Sequence, residues 1–164
     1  SNLGLLNRVK FFKSDVDNFN CGKYDLIISN PPYINKIDLN RLDDGVKLYE
    51  PRLALYGGIA GFEKIKKIIK KSSKLLKYNG KLILEIGDKQ KNFIIKILHK
   101  NKFYINNICK DFSGKDRCLV STKIDKWLIL KIIIEEIDLN LMEIKILGKE
   151  MEMDIKLVVI LIIV

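Results

Sequence analysis

The stretch DLIISNPPYI, residues 25–34, decides how this sequence folds. The residues before Asn30 form a nearly continuous apolar run, which is typical of a buried strand in a parallel sheet. Pro31 and Pro32 then end the strand, because proline has no N–H for the sheet and makes the preceding residue extended. Tyr33 follows directly. The sequence therefore predicts a strand whose carboxyl end carries a stiff loop with an amide and an aromatic ring.

Alternating helices and strands follow this loop. Residues 62–78 carry apolar side chains at intervals of three and four, which predicts an amphipathic helix that ends at residues 79–80, Asn-Gly. Residues 81–87 predict a second buried strand. Asp88 can cap a second helix, and its inward face would consist of Phe93, Ile94, Ile97 and Leu98. Two strands joined by a turn at residues 113–114 complete the series as an antiparallel pair.

Two further segments lie before and between these elements. Residues 8–12 form a short β-prone run that is followed by an acidic loop. Residues 35–61 predict a long polar loop, which contains Pro51 and the pair Gly57–Gly58. The order strand, strand, helix, strand, helix, hairpin indicates an α/β fold with a mostly parallel sheet closed by an antiparallel hairpin.

Composition and charge limit the class of protein. The chain has 164 residues, of which 48% are hydrophobic and 30% charged, and this suits one globular domain with a core. Its net charge of +10 would suit a nucleic-acid partner, but the lysines are scattered without interleaved aromatic residues, which is typical of solvated surfaces. No apolar run reaches the length of a membrane span, so we expect no membrane partner.

The cysteines and the histidine suggest no metal or nucleophilic chemistry. Cys21, Cys109 and Cys118 lack metal-ligand spacing, and pairing two of them would leave one over. We therefore expect reduced thiols in a cytoplasmic protein and no metal. His99 is the only histidine, and its place on the second predicted helix indicates a structural role.

The last 40 residues differ from the rest of the chain. Residues 125–164 contain 24 Ile, Leu, Val or Met residues, one glycine and no proline, and they show neither helical nor strand periodicity. We predict a domain over residues 1–124 and an extension of unknown nature over residues 125–164, such as a frame shift or read-through would produce.

The end of the first buried strand suggests a specific chemistry. Ligands of an open parallel sheet bind beyond the carboxyl ends of its strands, where Asn30 falls. A planar NH2 group, on an amide or a nucleobase, is a poor nucleophile because its lone pair is delocalised. The Asn30 side-chain oxygen and the Pro31 carbonyl can each accept one of its N–H bonds and align it with an electrophile, while Tyr33 packs against its plane. The alternative is that Asn-Pro-Pro only terminates a strand.

Four motifs carry a resemblance to a known family. YDLIISNPPYI, YEPRLALYGGIAGFE, LLKYNGKLILEIGDKQ and KDFSGKDRCLVSTK occur in this order within about residues 3–124. Together they resemble the glutamine N5-methyltransferases that modify peptide chain release factors. These are S-adenosylmethionine-dependent enzymes with the Rossmann-like class I methyltransferase fold. NPPY alone is shared with adenine N6- and guanine N2-methyltransferases, whereas the loop at residues 49–58 favours the protein-glutamine enzymes.

The resemblance implies an enzyme, a cofactor and a partner. The methyl group of S-adenosylmethionine would be transferred to the glutamine of the Gly-Gly-Gln loop of a release factor. The substrate glutamine would bind at Asn30, Pro31, Pro32 and Tyr33, and the cofactor would lie beside Asp15, Val16 and Asn30. Asp15 could instead only cap a turn, and Val16 could simply belong to the core.

Other positions that match the family have no chemical role. Glu50 and the two glycines, Gly57 and Gly58, would shape the loop over the site. Gly87 and Gln90 match a strand-end motif E-x-G-x-x-Q to which no role is assigned. Ala60 and Gly61 stand where the family often has an acidic residue before the glycine, so we expect a helix cap to be missing.

The sequence also departs from the family at its beginning. In the family, a glycine-rich loop after the first strand holds the methionine part of the cofactor, and an acidic residue at the end of the second strand holds its ribose. This sequence contains no counterpart of either. We therefore expect an N-terminally truncated form of the fold that is inactive by itself. Two alternatives stay open: a DNA adenine or rRNA guanine amino-methyltransferase, favoured by charge and NPPY, and an inactive remnant.

Overall fold

The computed structural model describes residues 9–125 as an α/β unit. In chain order its elements are β1 (Tyr24–Ser29), β2 (Ile34–Asn35), α1 (Lys36–Asn40), α2 (Asp44–Tyr49), α3 (Arg52–Leu55), β3 (Tyr56–Gly58), α4 (Glu63–Leu75), β4 (Leu76–Glu85), α5 (Lys91–Lys100), β5 (Phe103–Lys110) and β6 (Asp116–Lys123).

The central sheet is mixed. Its four strands lie in the order β1-β4-β6-β5. β1 and β4 run parallel, whereas β6 is antiparallel to both β4 and β5. The α/β class and the closing antiparallel hairpin are confirmed, and the pair β1–β4 is the parallel part of the sheet that the described residues contain. Because Ser29 lies opposite Leu84, the carboxyl ends of β1 and β4 meet at the same edge.

The core consists of alternate strand residues and one face of each long helix. Ile27, Leu82, Leu84 and Leu119 are at most 2% exposed and join the buried residues of α4 and α5 in one cluster. Successive strand side chains point to opposite faces of a sheet, so these residues share the face that meets the helices. The buried residues of α4 recur at helical spacing and are Ile65, Ile68, Ile69, Ser72 and Leu75.

The first long helix ends earlier than the sequence predicts. Leu76 is already extended, with φ −73° and ψ 143°, and pairs with Tyr24 in the sheet. Asn79 and Gly80 therefore do not end the helix. Asn79 has φ 63° within the span of β4, where the pairing with β1 shifts register. The sequence of residues 76–80 does not by itself separate the end of a helix from the start of a strand, and pairing with β1 selects the strand.

Two other predictions about local structure are wrong. Residues 9–12 adopt no regular structure, although their composition favours a strand, because a strand needs a partner and none pairs with them among the described residues. The predicted loop over residues 35–61 instead holds three short helices and the small parallel pair β2–β3.

The second long helix and the hairpin agree better with the sequence. Ile94 and Leu98 are fully buried in α5, while Phe93 is 39% exposed and its ring lies 4.1 Å from that of Phe62. Asp88 does not cap the helix; Gln90 occupies the N-cap position, and Asp88 forms an ion pair with Lys115. The turn between β5 and β6 includes Gly114, whose φ is 78°.

The predicted extension over residues 125–164 lies outside the described residues except for its first residue. The proposed boundary at residue 124 thus stays a prediction. Within residues 9–125, no helix has the length and apolarity that a membrane crossing requires.

Candidate active site

The loop that follows β1 presents its asparagine to solvent and buries its prolines. Asn30 is exposed, Pro31 and Pro32 are buried, and Tyr33 is half-buried. The two prolines limit the backbone to extended conformations, so the loop leaves the sheet in a fixed direction. The structure therefore brings the four residues predicted to bind the substrate amide to one end of the sheet.

Both hydrogen-bond acceptors that the sequence singled out are unoccupied by protein groups. Neither the Asn30 side chain nor the Pro31 carbonyl has a hydrogen-bond partner among residues 9–125. An exposed amide costs little to leave unpaired because water can solvate it. Such a group on a stiff loop is free to bind a ligand.

The ring of Tyr33 is oriented by the neighbouring strand. Its hydroxyl donates a hydrogen bond of 3.2 Å to Glu85 Oε1, at the end of β4. Burial and the negative charge of Glu85 raise the pKa of Tyr33, so the phenol stays protonated at neutral pH. The sequence did not indicate Glu85 as a partner, because the two residues meet only when β1 and β4 align.

A close approach of two backbones supports the loop from the other side. A β-carbon added to Gly57 would lie 2.6 Å from the Gly61 carbonyl oxygen and 2.7 Å from both the Pro32 oxygen and Tyr33 Cα. No side chain fits in that space, so a glycine is required at this position. The expectation that Gly57 shapes the loop thus gains a physical cause, namely contact with the Pro32–Tyr33 backbone.

Gln90 connects the loop with two other segments. Its side-chain Nε2 donates to the Tyr33 carbonyl at 2.9 Å and to the Gly61 carbonyl at 3.2 Å. Its Oε1 accepts from the Gly87 N–H at 3.0 Å. The strand-end motif contained this residue, but its contact with Tyr33 spans 57 residues and could not be derived from local sequence.

As expected from Ala60 and Gly61, a helix cap is missing: Phe62, the N-cap residue of α4, makes no side-chain capping bond. Glu63 folds back so that its carboxylate accepts from the Ala60 N–H at 3.0 Å and from the Phe62 N–H at 3.1 Å. Burial opposes ionisation of Glu63, but the hydrogen bonds from these N–H groups prevail and lower its pKa. These two bonds fix the turn that leads into α4, on the N-terminal side of the helix.

The residues predicted to border the cofactor lie in a separate turn. Val16 is 7% exposed and belongs to the core cluster, whereas Asp15 is exposed. Asp15 Oδ1 accepts from the Asp17 N–H at 2.7 Å, so it does cap a turn. Asp17 in turn pairs with Lys67 of α4, which lowers the pKa of the Asp17 carboxyl. No hydrogen bond joins Asp15 or Val16 to residues 30–33 in the described part of the chain.

Several curated proteins that are similar to this chain are named as glutamine methyltransferases. A release factor glutamine methyltransferase from Fusobacterium nucleatum is 41% identical over 142 residues, which are 87% of this chain and 39% of that protein. One from Clostridium acetobutylicum is 38% identical over 101 residues, 62% of this chain and 35% of that protein. A ribosomal protein uL3 glutamine methyltransferase from Francisella tularensis is 45% identical over 87 residues, which are 52% of this chain and 27% of that protein.

Other comparisons add less. No protein-family model matches the chain. A solved methyltransferase from Pyrococcus furiosus superposes with a TM-score of 0.44 at 21% identity, covering 65% of this chain and 44% of that one. A TM-score of this size is too low to define a fold.

The fold, the strand-end loop and the curated relatives together define the class: an α/β methyltransferase of the Rossmann-like type. Within this class, the chain belongs to the release factor glutamine methyltransferase family. It spans less than half the length of the curated relatives described above. The longest of these matches, at 142 residues, also extends past residue 124.

Proposed function

We propose that this chain carries the target-amide site of an S-adenosylmethionine-dependent enzyme that methylates the N5 of a glutamine in a protein. The acceptor is the glutamine of the Gly-Gly-Gln loop of a peptide chain release factor. The observation that carries this proposal is the pair of free acceptors on a stiff loop, Asn30 Oδ1 and the Pro31 carbonyl. Relatives named as glutamine methyltransferases support it.

The site residues suit a carboxamide acceptor. A primary amide offers two N–H donors in one plane, and the Asn30 oxygen and Pro31 carbonyl can accept one each. Two hydrogen bonds fix the rotation of the amide and favour the positive charge that develops on its nitrogen during transfer. The Tyr33 ring, oriented by its bond to Glu85, packs against the same planar group.

The residues present also fit one end of the cofactor. Asp15 uses one carboxylate oxygen within its turn, and its second oxygen has no described partner and can accept from an adenine amino group. Val16 contributes apolar surface from the core beneath, and Asn30 borders the cofactor as well as the substrate. S-adenosylmethionine supplies an electrophilic methyl group when bound; the residues named here bind and orient.

A second protein substrate has a specific observation in its favour. The relative from Francisella tularensis that is 45% identical is named for ribosomal protein uL3. The same two acceptors would bind the glutamine amide of either protein, so the strand-end loop alone does not separate these substrates. Surfaces that contact the rest of the acceptor protein decide between them.

The acceptor is identified by transfer of a labelled methyl group. The full-length protein is incubated with labelled S-adenosylmethionine and, separately, with release factor, ribosomal protein uL3, duplex DNA and rRNA. A release factor variant with Gly-Gly-Glu in place of Gly-Gly-Gln serves as the matched control. We expect label in the release factor and none in the variant.

The other outcomes distinguish the alternatives. Label in uL3 alone would support the second protein substrate. Label in nucleic acid alone would contradict a glutamine acceptor, because a base amino group can use the same two carbonyl acceptors. An enzyme that labels none of the four acceptors would contradict the proposed function.

A further inference from the structure

Gln90 uses its side-chain oxygen and nitrogen entirely on backbone groups, with one accepted and two donated hydrogen bonds. It stands at the N-cap position of α5, yet its side chain makes no capping bond to that helix. Instead the carboxamide accepts from Gly87 N–H and donates to the carbonyls of Tyr33 and Gly61. A carboxamide has one acceptor oxygen and two N–H donors in one plane, which matches this set of three partners.

The three partners belong to three different segments at one edge of the sheet. Gly87 follows the end of β4, Gly61 precedes α4, and Tyr33 belongs to the loop after β1. No other side chain among the described residues forms a hydrogen bond to the backbone of residues 30–33. Beside the close approach of Gly57 and the bond of the Tyr33 hydroxyl to Glu85, this amide is therefore the one side-chain group among the described residues that holds the Tyr33 backbone by hydrogen bonding.

The surroundings make this amide hard to replace. Gly61 has φ +84°, and a β-carbon there would lie 2.7 Å from the Tyr33 oxygen and 3.1 Å from Gln90 Nε2. The three segments are thus in close contact around a single side chain. A partly buried carbonyl that loses its donor costs about 1–3 kcal/mol, so the segments separate or shift when the amide is removed.

We propose that Gln90 is a positioning residue for methyl transfer: its carboxamide fixes the Tyr33 backbone and thereby aims Asn30 and Tyr33 at the target amide. This inference rests on the proposed function of the strand-end loop. A displacement of about 1 Å in a group that orients a reactant can lower a rate about 10²-fold. The effect falls mainly on kcat, because Gln90 contacts the loop that orients the acceptor and not the turn at Asp15, and within that loop we place Asn30 alone beside the cofactor.

The variant Gln90→Glu tests this directly. It keeps the size of the side chain and the acceptor for Gly87 N–H, but it turns a carboxylate oxygen toward two carbonyl oxygens at about 3 Å. Asn92→Asp is the matched control, because it makes the same chemical change on the same helix at an exposed residue without a described partner. Gln90→Met, an apolar side chain of similar length, is a second variant in case the carboxylate prevents folding.

Three measurements on the full-length protein decide the matter: kcat, the Kd of the cofactor and amide hydrogen exchange. We expect Gln90→Glu and Gln90→Met to lower kcat about 10²-fold at saturating S-adenosylmethionine, with the Kd of the cofactor changed less than about twofold. Amide hydrogen exchange of residues 33–36 and 86–88 should become faster in both variants. Asn92→Asp should match the wild type in kcat, Kd and exchange.

Each contrary result has a definite meaning. Unchanged exchange would show that Gln90 does not fix the loop, and normal kcat with faster exchange would show that fixing it is irrelevant to transfer. Loss of cofactor binding together with kcat would indicate a general structural role; each of these overturns the proposal. A wild type that labels no acceptor would overturn the proposed function instead, and the exchange comparison would still decide whether Gln90 fixes the loop.

Discussion

The loop at residues 30–33 and the turn at residues 15–19 are built in opposite ways. The turn is closed by local bonds, since the Asp15 carbonyl accepts from the N–H groups of Asn18 and Phe19 at 3.1 Å each. The loop depends on groups far along the chain, namely Gly57, Glu85 and Gln90. The backbone of the turn is thus fixed by bonds within five residues, even though Lys67 and Lys71 of α4 also bind Asp17. The loop instead takes its shape from contacts that exist only in the assembled sheet edge.

The largest expected effect is that of Gly57→Ala, which tests the contact on one side of the loop. The added β-carbon would meet three backbone atoms at 2.6–2.7 Å, so backbone has to move. We expect the free energy of unfolding to fall by about 3 kcal/mol, as for severe overpacking. Urea denaturation of the full-length protein measures it.

Gly45→Ala is the control for that variant. Gly45 lies in α2, and nothing lies within 4 Å of its added β-carbon. Alanine favours a helix over glycine by about 0.5–1 kcal/mol, so a slight gain in stability is expected. Equal losses of unfolding free energy in both variants would show that the close backbone approach at Gly57 is not the cause of the destabilisation.

Asp15→Asn should have a smaller effect, and only on the cofactor. Asparagine can accept the same bond from the Asp17 N–H, so we expect the stability of the turn to change by less than about 0.5 kcal/mol. Loss of the charged acceptor should weaken binding of S-adenosylmethionine about tenfold, at unchanged kcat. Calorimetric titration measures the Kd, and an unchanged Kd would mean that Asp15 only closes the turn.

Glu63→Gln should have the smallest effect, and it should depend on pH. Hydrogen bonds lower the pKa of Glu63 in the folded state, so the ionised carboxylate stabilises the fold above its unfolded pKa of about 4.5. That contribution is lost as the pH falls through the lowered, folded pKa. We expect the variant to be less stable by about 0.5–1 kcal/mol at pH 7, which is the net contribution of a hydrogen bond, and equal to the wild type in stronger acid.

Unfolding free energies at pH 7 and near pH 3 measure this difference. Glu50→Gln is the control, because Glu50 is exposed and its side chain has no hydrogen bond or ion pair within residues 9–125. A deficit of Glu63→Gln that persists unchanged at pH 3 would show that the ionised carboxylate is not the source of the stabilisation.

The sequence predicted the parts of the site that depend on local chemistry. Proline geometry is a property of Pro31 and Pro32 themselves, so the exposed amide of Asn30 at a strand end followed from ten residues. The partners of Tyr33 could not be derived, because Glu85 and Gln90 lie 52 and 57 residues away and meet it only in the folded sheet.

The errors in the fold have the same cause. The segment from Leu76 to Gly80 suits a helix or a strand, and its pairing with Tyr24 settles the choice. The β-prone residues 9–12 form no strand because no described strand pairs with them. The bond from the Ala60 N–H to Glu63 differs, since it joins residues only three apart and is local.

The central claim is that Asn30 orients the target amide. Asn30→Ala in the full-length protein tests it most directly, with Asn92→Ala as an exposed control and circular dichroism to verify folding. We predict that Asn30→Ala lowers the rate of methyl transfer to the acceptor at least about 10²-fold, as for the loss of one preorganised polar contact, while Asn92→Ala transfers at the wild-type rate. A folded Asn30→Ala variant with near-normal turnover would contradict the account.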